Sequence, residues 1–235
     1  MVKREKGGFW IAFAAVFVYP LGWLLSRARY EGREHLPATG GALFVANHIS
    51  HLDPIYSALF VHTARRVPRF LAKHSLWNIP VLRAVLNGSG QIPVFRESAD
   101  AQQSLEHGAR ALREGKVVVI YPEGTITRDP DGWPMAARTG VARLALATDV
   151  PVLPAVHWGT RDVLDKYNRK FRPLPRKKVV VRCGPPVDLS AYRGRPVDAE
   201  LLREVTDLIM VRIRDLLAEV RGEQAPEEFY RRTAS

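Results

Sequence analysis

Cysteine is almost missing from this chain: Cys183 is the only one in 235 residues. A lone cysteine closes no intrachain disulfide and builds no thiolate metal cluster, and a reducing compartment is its natural setting. Acidic residues are scarce too, 24 against 35 Lys plus Arg, which leaves a net charge of +11. The sequence shows no Cys or His spacing suited to zinc and no acidic cluster suited to magnesium, so no metal is expected. No Gly-x-Ser-x-Gly elbow occurs, which argues against a serine hydrolase. Internal repeats and low-complexity tracts are also lacking.

What is present is 46% hydrophobic residues, enough for one domain with a sizeable core. A charge excess of this size calls for an anionic partner: nucleic acid, anionic lipid or a phosphorylated substrate. The chain has no zinc-finger, RNP or Gly-x-x-Gly signature, so nucleic acid is not expected as a partner. Residues 8–26 carry no charge, and Lys3, Arg4, Lys6 before them and Arg27, Arg29, Arg33 after them are all basic. This run barely reaches the length of about 20 apolar residues that a membrane span needs. Pro20, with Gly22 close behind, predicts a kink or break. Cations on both flanks give the positive-inside rule no side to choose, and Trp10, Tyr19 and Trp23 suit the headgroup layer. The expectation is a kinked helix lying in one leaflet at the cytoplasmic face of the cell membrane, monotopic or peripheral. A cleaved signal peptide fits less well, because no small-x-small site follows. A simple membrane span and a buried core helix are the remaining alternatives.

Beyond residue 41, short β-branched runs alternate with amphipathic segments. Strands are predicted over 42–46, 69–72, 91–95, 117–121, 152–157 and 179–183. Asp53-Pro54 starts one helix with Asp as N-cap, and Asp100 with Gln103 resembles a capping box for another. A third helix is predicted over 138–147 and a long fourth after Asp198. Strands alternating with helices predict an α/β domain, a central mixed sheet flanked by helices. Residues 1–36 then form the membrane-anchoring helix and connector, 37–222 the domain, and 223–235 a polar, frayed tail. The stretch 168–178 holds six Lys or Arg and two prolines. It suits anionic headgroups or the phosphates of coenzyme A, or is simply solvated.

The segment 46–54, ANHISHLDP, carries the chemistry. It places His48 after a strand and Asp53 at the start of a helix, where open α/β sheets hold ligands. An imidazole titrates near neutrality and suits a hydroxyl nucleophile, and a carboxylate five residues on can orient it. His-x4-Asp alone is a weak signal; Asp53 as a plain cap and His48 as a surface histidine are the bland alternatives.

Three further blocks follow in order: GQIPVFR at 90–96, YPEGTITR at 121–128 and VPVLPA at 150–155. Together with the lead-in REHLP at Arg33 to Pro37, the four blocks resemble the glycerolipid acyltransferases, in particular the 1-acylglycerol-3-phosphate O-acyltransferases. The resemblance covers about two-thirds of the chain. It implies that His48, oriented by Asp53, deprotonates the acceptor hydroxyl for direct attack on an acyl thioester. It further implies that Arg96 grips the acceptor phosphate, a task suited to a guanidinium fork, and that Glu123, Gly124 and Thr125 belong to the acceptor site. The fourth block would be a buried strand shaping the acyl pocket. The implied acceptor is lysophosphatidic acid, the donor acyl-CoA or an acyl carrier protein, the partner surface an anionic membrane, and no cofactor is required.

Two features depart from or extend the pattern. Ile126 stands where the family often has Arg after Glu-Gly-Thr, and Arg128 two residues on is the substitute phosphate ligand. Lys73 falls where the family often has lysine and joins the acceptor site. Arg138 falls where the family commonly has a lysine, with a solvated first-turn charge as the alternative, and His51 reads as a bystander. An ordinary turn at Gly124 and a surface ion pair at Arg96 remain the alternatives. Rival functions are the same chemistry on another lysolipid or glycolipid, and a non-catalytic membrane-anchored scaffold.

Overall fold

The β-branched runs assemble into one seven-stranded sheet in a computed structural model that describes residues 8–95 and 100–231. Its strands are β1 (Ser26–Glu31), β2 (Ala42–Ala46), β3 (Pro68–Lys73), β4 (Ile92–Val94), β5 (Val117–Ile120), β6 (Val152–Trp158) and β9 (Lys177–Cys183). The two-residue β7 (Leu164–Asp165) and β8 (Lys170–Phe171) pair as a separate small hairpin. The helices are α1 (Gly8–Leu25), α2 (Asp53–Thr63), α3 (Pro80–Gly88), α4 (Asp100–Arg113), α5 (Gly140–Leu146), the single turn α6 (Thr160–Val163) and α7 (Ala199–Arg221).

Strand order is β1-β9-β6-β2-β5-β3-β4. From β6 to β4 every neighbouring pair is parallel; β9 runs antiparallel to β6, and β1 runs parallel to β9. The sheet is therefore mixed, as expected. β2 and β5 are buried along their whole length, which is why they read as unbroken apolar runs rather than alternating ones. Leu43, Val45, Val118 and Ile120 face a core closed by α4, α5 and α7. Phe44, Val117, Val119 and Leu153 face the opposite core, where α2 contributes Tyr56, Leu59 and Phe60. The steps β2 to β3 and β3 to β4 move the same way across the sheet. Right-handed crossovers therefore place α2 and α3 on one face and α4 and α5 on the other.

α1 lies on the α2–α3 face and packs against both helices. Its inner stripe, Ile11, Ala14, Ala15, Val18, Gly22 and Leu25, follows helical spacing and is wholly or partly buried. Gly22 permits the approach, since a Cβ there would fall 2.4 Å from Leu59 Cδ1. The outer side leaves Phe9, Val16, Phe17 and Leu24 exposed, and only 11% of the helix is buried inside the protein. That is not a core helix. It also runs unbroken through Pro20, so of the expected kink or break the break is absent.

Three local expectations change. Residues 26–31, read as connector, form an edge strand registered along β9 from Ser26 against Lys177 to Glu31 against Arg182. α3 was not foreseen. The tail docks through residue 230 rather than fraying: Tyr230 C=O accepts from Ala136 N–H, and Arg214 lies 5.5 Å from the Phe229 ring.

Candidate active site

Register decides where the chemistry collects. Val45 lies beside Ile120 and Pro154, and Ala46 beside Ala155, so β2 and β5 end together while β6 runs on to Trp158 in the same direction. The segments that follow them, carrying His48, Tyr121 and Thr160, share the carboxyl edge of the sheet. Chain connections leave β2 toward β3 on one side and reach β6 on the other. This is the switch point where open α/β sheets form a crevice.

Asp53 is fully buried at the start of α2, and its carboxylate folds back over the preceding turn. Oδ2 accepts from His48 Nδ1 at 2.8 Å, from Ile49 N–H at 2.7 Å and from Ser50 N–H at 2.8 Å. Oδ1 accepts from Thr160 Oγ1 at 2.5 Å. The expected capping role is thereby corrected: Leu52 occupies the N-cap, no side chain caps α2, and Asp53 serves the turn and the imidazole instead. Burial pushes the Asp53 carboxyl up, but the hydrogen bonds from His48 and Thr160 and the nearby imidazoles outweigh it and hold it below the usual carboxylate range. A charged acceptor at Nδ1 fixes the proton there and leaves Nε2 as the basic nitrogen. Among the described residues none hydrogen-bonds Nε2, and the side chain is 14% exposed.

The ring and backbone of His48 are pinned separately. Tyr121 stacks on the imidazole, with ring centres 4.5 Å apart and an interplanar angle of 23°. Burial pushes the Tyr121 phenol well above its ordinary pKa, and its oxygen meets Ser57 Oγ at 2.9 Å. Ser57 in turn meets His157 Nε2 at 3.0 Å. His157 is buried and kept neutral by that burial, and its backbone N–H donates to Asn47 Oδ1 at 2.7 Å. On the backbone side, His48 N–H donates to Glu123 Oε1 at 2.9 Å, Met135 N–H to Glu123 Oε2 at 3.0 Å, and Thr127 N–H to His48 C=O at 2.7 Å. Burial pushes the Glu123 carboxyl up to about 8 against the pull of those two backbone donors.

The structure thus brings His48, Asp53, Glu123 and Gly124 to one edge, with Thr125 half-buried beside them. Gly124 has φ +71° in a turn whose N–H donates to Tyr121 C=O at 2.9 Å, so the backbone itself calls for glycine. A Cβ there would come no nearer than 3.6 Å to Arg138 Nε. Ile126 is buried, and Arg128 beyond it is exposed. Lys73 is exposed at the end of β3, two strands from β2, or about 10 Å along the sheet. Arg96 lies outside the described residues. Tyr121, Ser57, His157 and Thr160 were not singled out from sequence: Thr160 is 107 residues from Asp53, and nothing local marks it.

An imidazole held by a buried carboxylate, with one nitrogen turned to an open crevice, can take a proton from a hydroxyl and return it to a leaving group. Comparison with known proteins identifies the family. A family model described as Acyltransferase matches residues 27–158, more than half of the chain. The chain belongs to this family. A 1-acyl-sn-glycerol-3-phosphate acyltransferase of Borreliella burgdorferi is 33% identical over 57% of the chain and 52% of its own length. The chloroplastic 1-acyl-sn-glycerol-3-phosphate acyltransferase BAT2 of Brassica napus is 29% identical over 68% of the chain and 45% of its own length. The chain therefore spans about half the length of these curated relatives. Among solved structures, the 1-acyl-sn-glycerophosphate (LPA) acyltransferase PlsC of Thermotoga maritima superposes with TM-score 0.66 at 26% identity, covering 88% of this chain and 80% of that one. The acyltransferase domain and its α/β fold are thus shared features.

Proposed function

We propose that this acyltransferase moves an acyl group from acyl-CoA or an acyl carrier protein to the free hydroxyl of 1-acylglycerol-3-phosphate, giving phosphatidic acid. The observation that carries the proposal is the imidazole of His48, oriented at Nδ1 by Asp53 and open at Nε2. The acceptor hydroxyl gives its proton to Nε2 as its oxygen attacks the thioester carbonyl. The tetrahedral intermediate then collapses, the carbon–sulfur bond breaks, and the thiolate takes the proton back from Nε2. No cofactor enters this scheme. Lys73, Arg128 and Arg96 are assigned to the acceptor phosphate, with Gly124 and Thr125 bordering it. Both Glu123 oxygens already accept backbone N–H groups, so Glu123 acts by fixing the His48 backbone rather than by binding a glycerol hydroxyl.

The setting we propose is the cytoplasmic face of the cell membrane, with the outer side of α1 in the leaflet. The basic stretch supports this. Arg176 sits 4.7 Å from the Trp23 ring and donates to Ser26 C=O, tying that stretch to the base of α1. Exposed Phe171 and Leu174 stand beside it. A second reading, the same chemistry on another lysolipid, is favoured by buried Ile126 in place of a phosphate-facing arginine.

Acyl transfer from palmitoyl-CoA to 1-acylglycerol-3-phosphate in detergent micelles tests the proposal, with wild type beside His48→Ala. Product that vanishes in the variant supports both the reaction and the base. Persistent product removes His48 from its role, and a folded but inactive wild type directs attention to other lysolipid acceptors.

A further inference from the structure

α3 is a nine-residue helix, PVLRAVLNG, without one buried residue. Val81 is 72% exposed, and Leu82, together with Leu76 and Ile79 just before the helix, is also open to the outside. The helix is held by polar ties instead of a core: Trp77 Nε1 donates to Asn87 Oδ1 at 2.7 Å and Arg83 Nε to Trp77 C=O at 2.8 Å. It is also held by α1, which crosses so closely that a Cβ on Gly88 would fall within 2.4 Å of the Trp10 ring. The exposed side chains of α3 therefore stand on a helix packed against α1, which leaves its own Phe9, Phe13, Val16 and Phe17 exposed. An apolar area made by two neighbouring helices marks an interaction site rather than scattered surface residues.

We propose that α3 is a second membrane-contact element, with Leu76, Ile79, Val81 and Leu82 seated in the same phospholipid leaflet as the outer side of α1. This rests on the reading of α1 as leaflet-bound. Charge selects lipid over a second copy of the chain: the protein carries +11, so like surfaces repel while an anionic leaflet attracts. Exposed Arg83 on α3 and Arg27 and Lys178 near the base of α1 supply cations at the margin. The contact also has a catalytic consequence. Leu76 follows Lys73 and His74, and His74 stacks on Phe95 at 4.2 Å at the carboxyl edge of β3 and β4. Seating α3 in lipid brings that edge to headgroup level, so a lysolipid reaches the crevice by sliding sideways.

The test uses single-cysteine labelling of the full chain, which is clean because Cys183 is buried. Val81→Cys, Val16→Cys on α1 and Asp207→Cys on α7 each receive an NBD group and are mixed with phosphatidylcholine vesicles containing one quarter phosphatidylglycerol. The proposal expects a blue shift at positions 81 and 16, loss of emission there with doxyl-labelled lipid, and neither change at 207. Quenching at 16 with an unchanged signal at 81 overturns the role of α3 and leaves α1 in the leaflet. Silence at both overturns both readings. A blue shift at 81 that needs no lipid and grows with protein concentration, alongside a doubled mass, overturns the proposal in favour of a second copy.

Discussion

On one face of the sheet, α7 turns Leu201, Leu202, Val205, Ile209, Ile213 and Leu217 inward and leaves Arg203, Asp207, Arg212 and Glu219 to water. On the other, α1 and α3 leave Phe9, Val16, Phe17 and Val81 outward. Asp198 caps α7 by accepting from Leu201 N–H at 2.8 Å, and Gly222 closes it in the left-handed region. α3 has no side-chain cap at its N-terminus. The α7 layer is finished by solvent; the α1–α3 layer is finished only by something apolar. The site lies on the edge that both layers share, so its residues answer for chemistry while the two outer surfaces answer for location.

The largest effects are expected at that shared edge. His48→Ala should lower acyl transfer by about 10²–10⁴-fold with little change in Tm, because its side chain contributes no core. Asp53→Ala should lose comparable activity and also about 3 kcal/mol of stability, since Ile49 N–H, Ser50 N–H and Thr160 Oγ1 all lose their acceptor. Equal Tm values for the two variants would show that the carboxylate is not what holds the turn. Glu123 gives the next effect. Its folded pKa of about 8 lies above its ordinary 4.5, so between those values the unfolded chain sheds a proton that the folded one keeps. Its contribution is therefore full below about pH 4.5 and is lost as pH rises through about 8, at up to about 1.4 kcal/mol per pH unit. Tm measured from pH 5 to 9 should fall more steeply for wild type than for Glu123→Gln. Parallel curves would mean that Glu123 titrates normally.

The α7 layer and the central strands were legible because local and global signals agree there: Asp198 at the cap, apolar spacing along the helix, and β-branched runs bounded by turn residues. The contact between His48 and Asp53 was legible for a similar reason, as strand end and Asp-Pro bracket the pair. β1 was hidden by its composition. SRARYE is polar and alternates weakly, since an edge strand buries little. α3 was hidden because its stability does not come from a core-facing stripe. The partners of the site were hidden by distance: Thr160 reaches Asp53 across 107 residues and His157 reaches Ser57 across 100, and only tertiary pairing brings them in.

Two smaller effects separate the outer surfaces. Val81→Ser combined with Leu82→Ser should leave Tm in detergent unchanged and weaken binding to vesicles about tenfold, equivalent to about 1.4 kcal/mol for two partly buried apolar side chains. Asp207→Ser combined with Arg212→Ser on α7 should change neither. Flotation of both pairs with the same vesicles decides whether the two layers differ as described.

The smallest effect concerns exposed Arg172 in the basic stretch. Near an anionic surface a cation contributes about 1 kcal/mol, so Arg172→Gln should weaken vesicle binding about fivefold at low salt. That contribution is screened once the Debye length shrinks to about 3 Å near 1 M salt. The apolar contribution of α3 is not screened in this way. A salt titration of the two variants should therefore make Arg172→Gln converge on wild type while the Val81→Ser, Leu82→Ser pair stays weak. Convergence of both would mean that α3 meets lipid only through the charge of Arg83, and convergence of neither would place Arg172 against something other than headgroups.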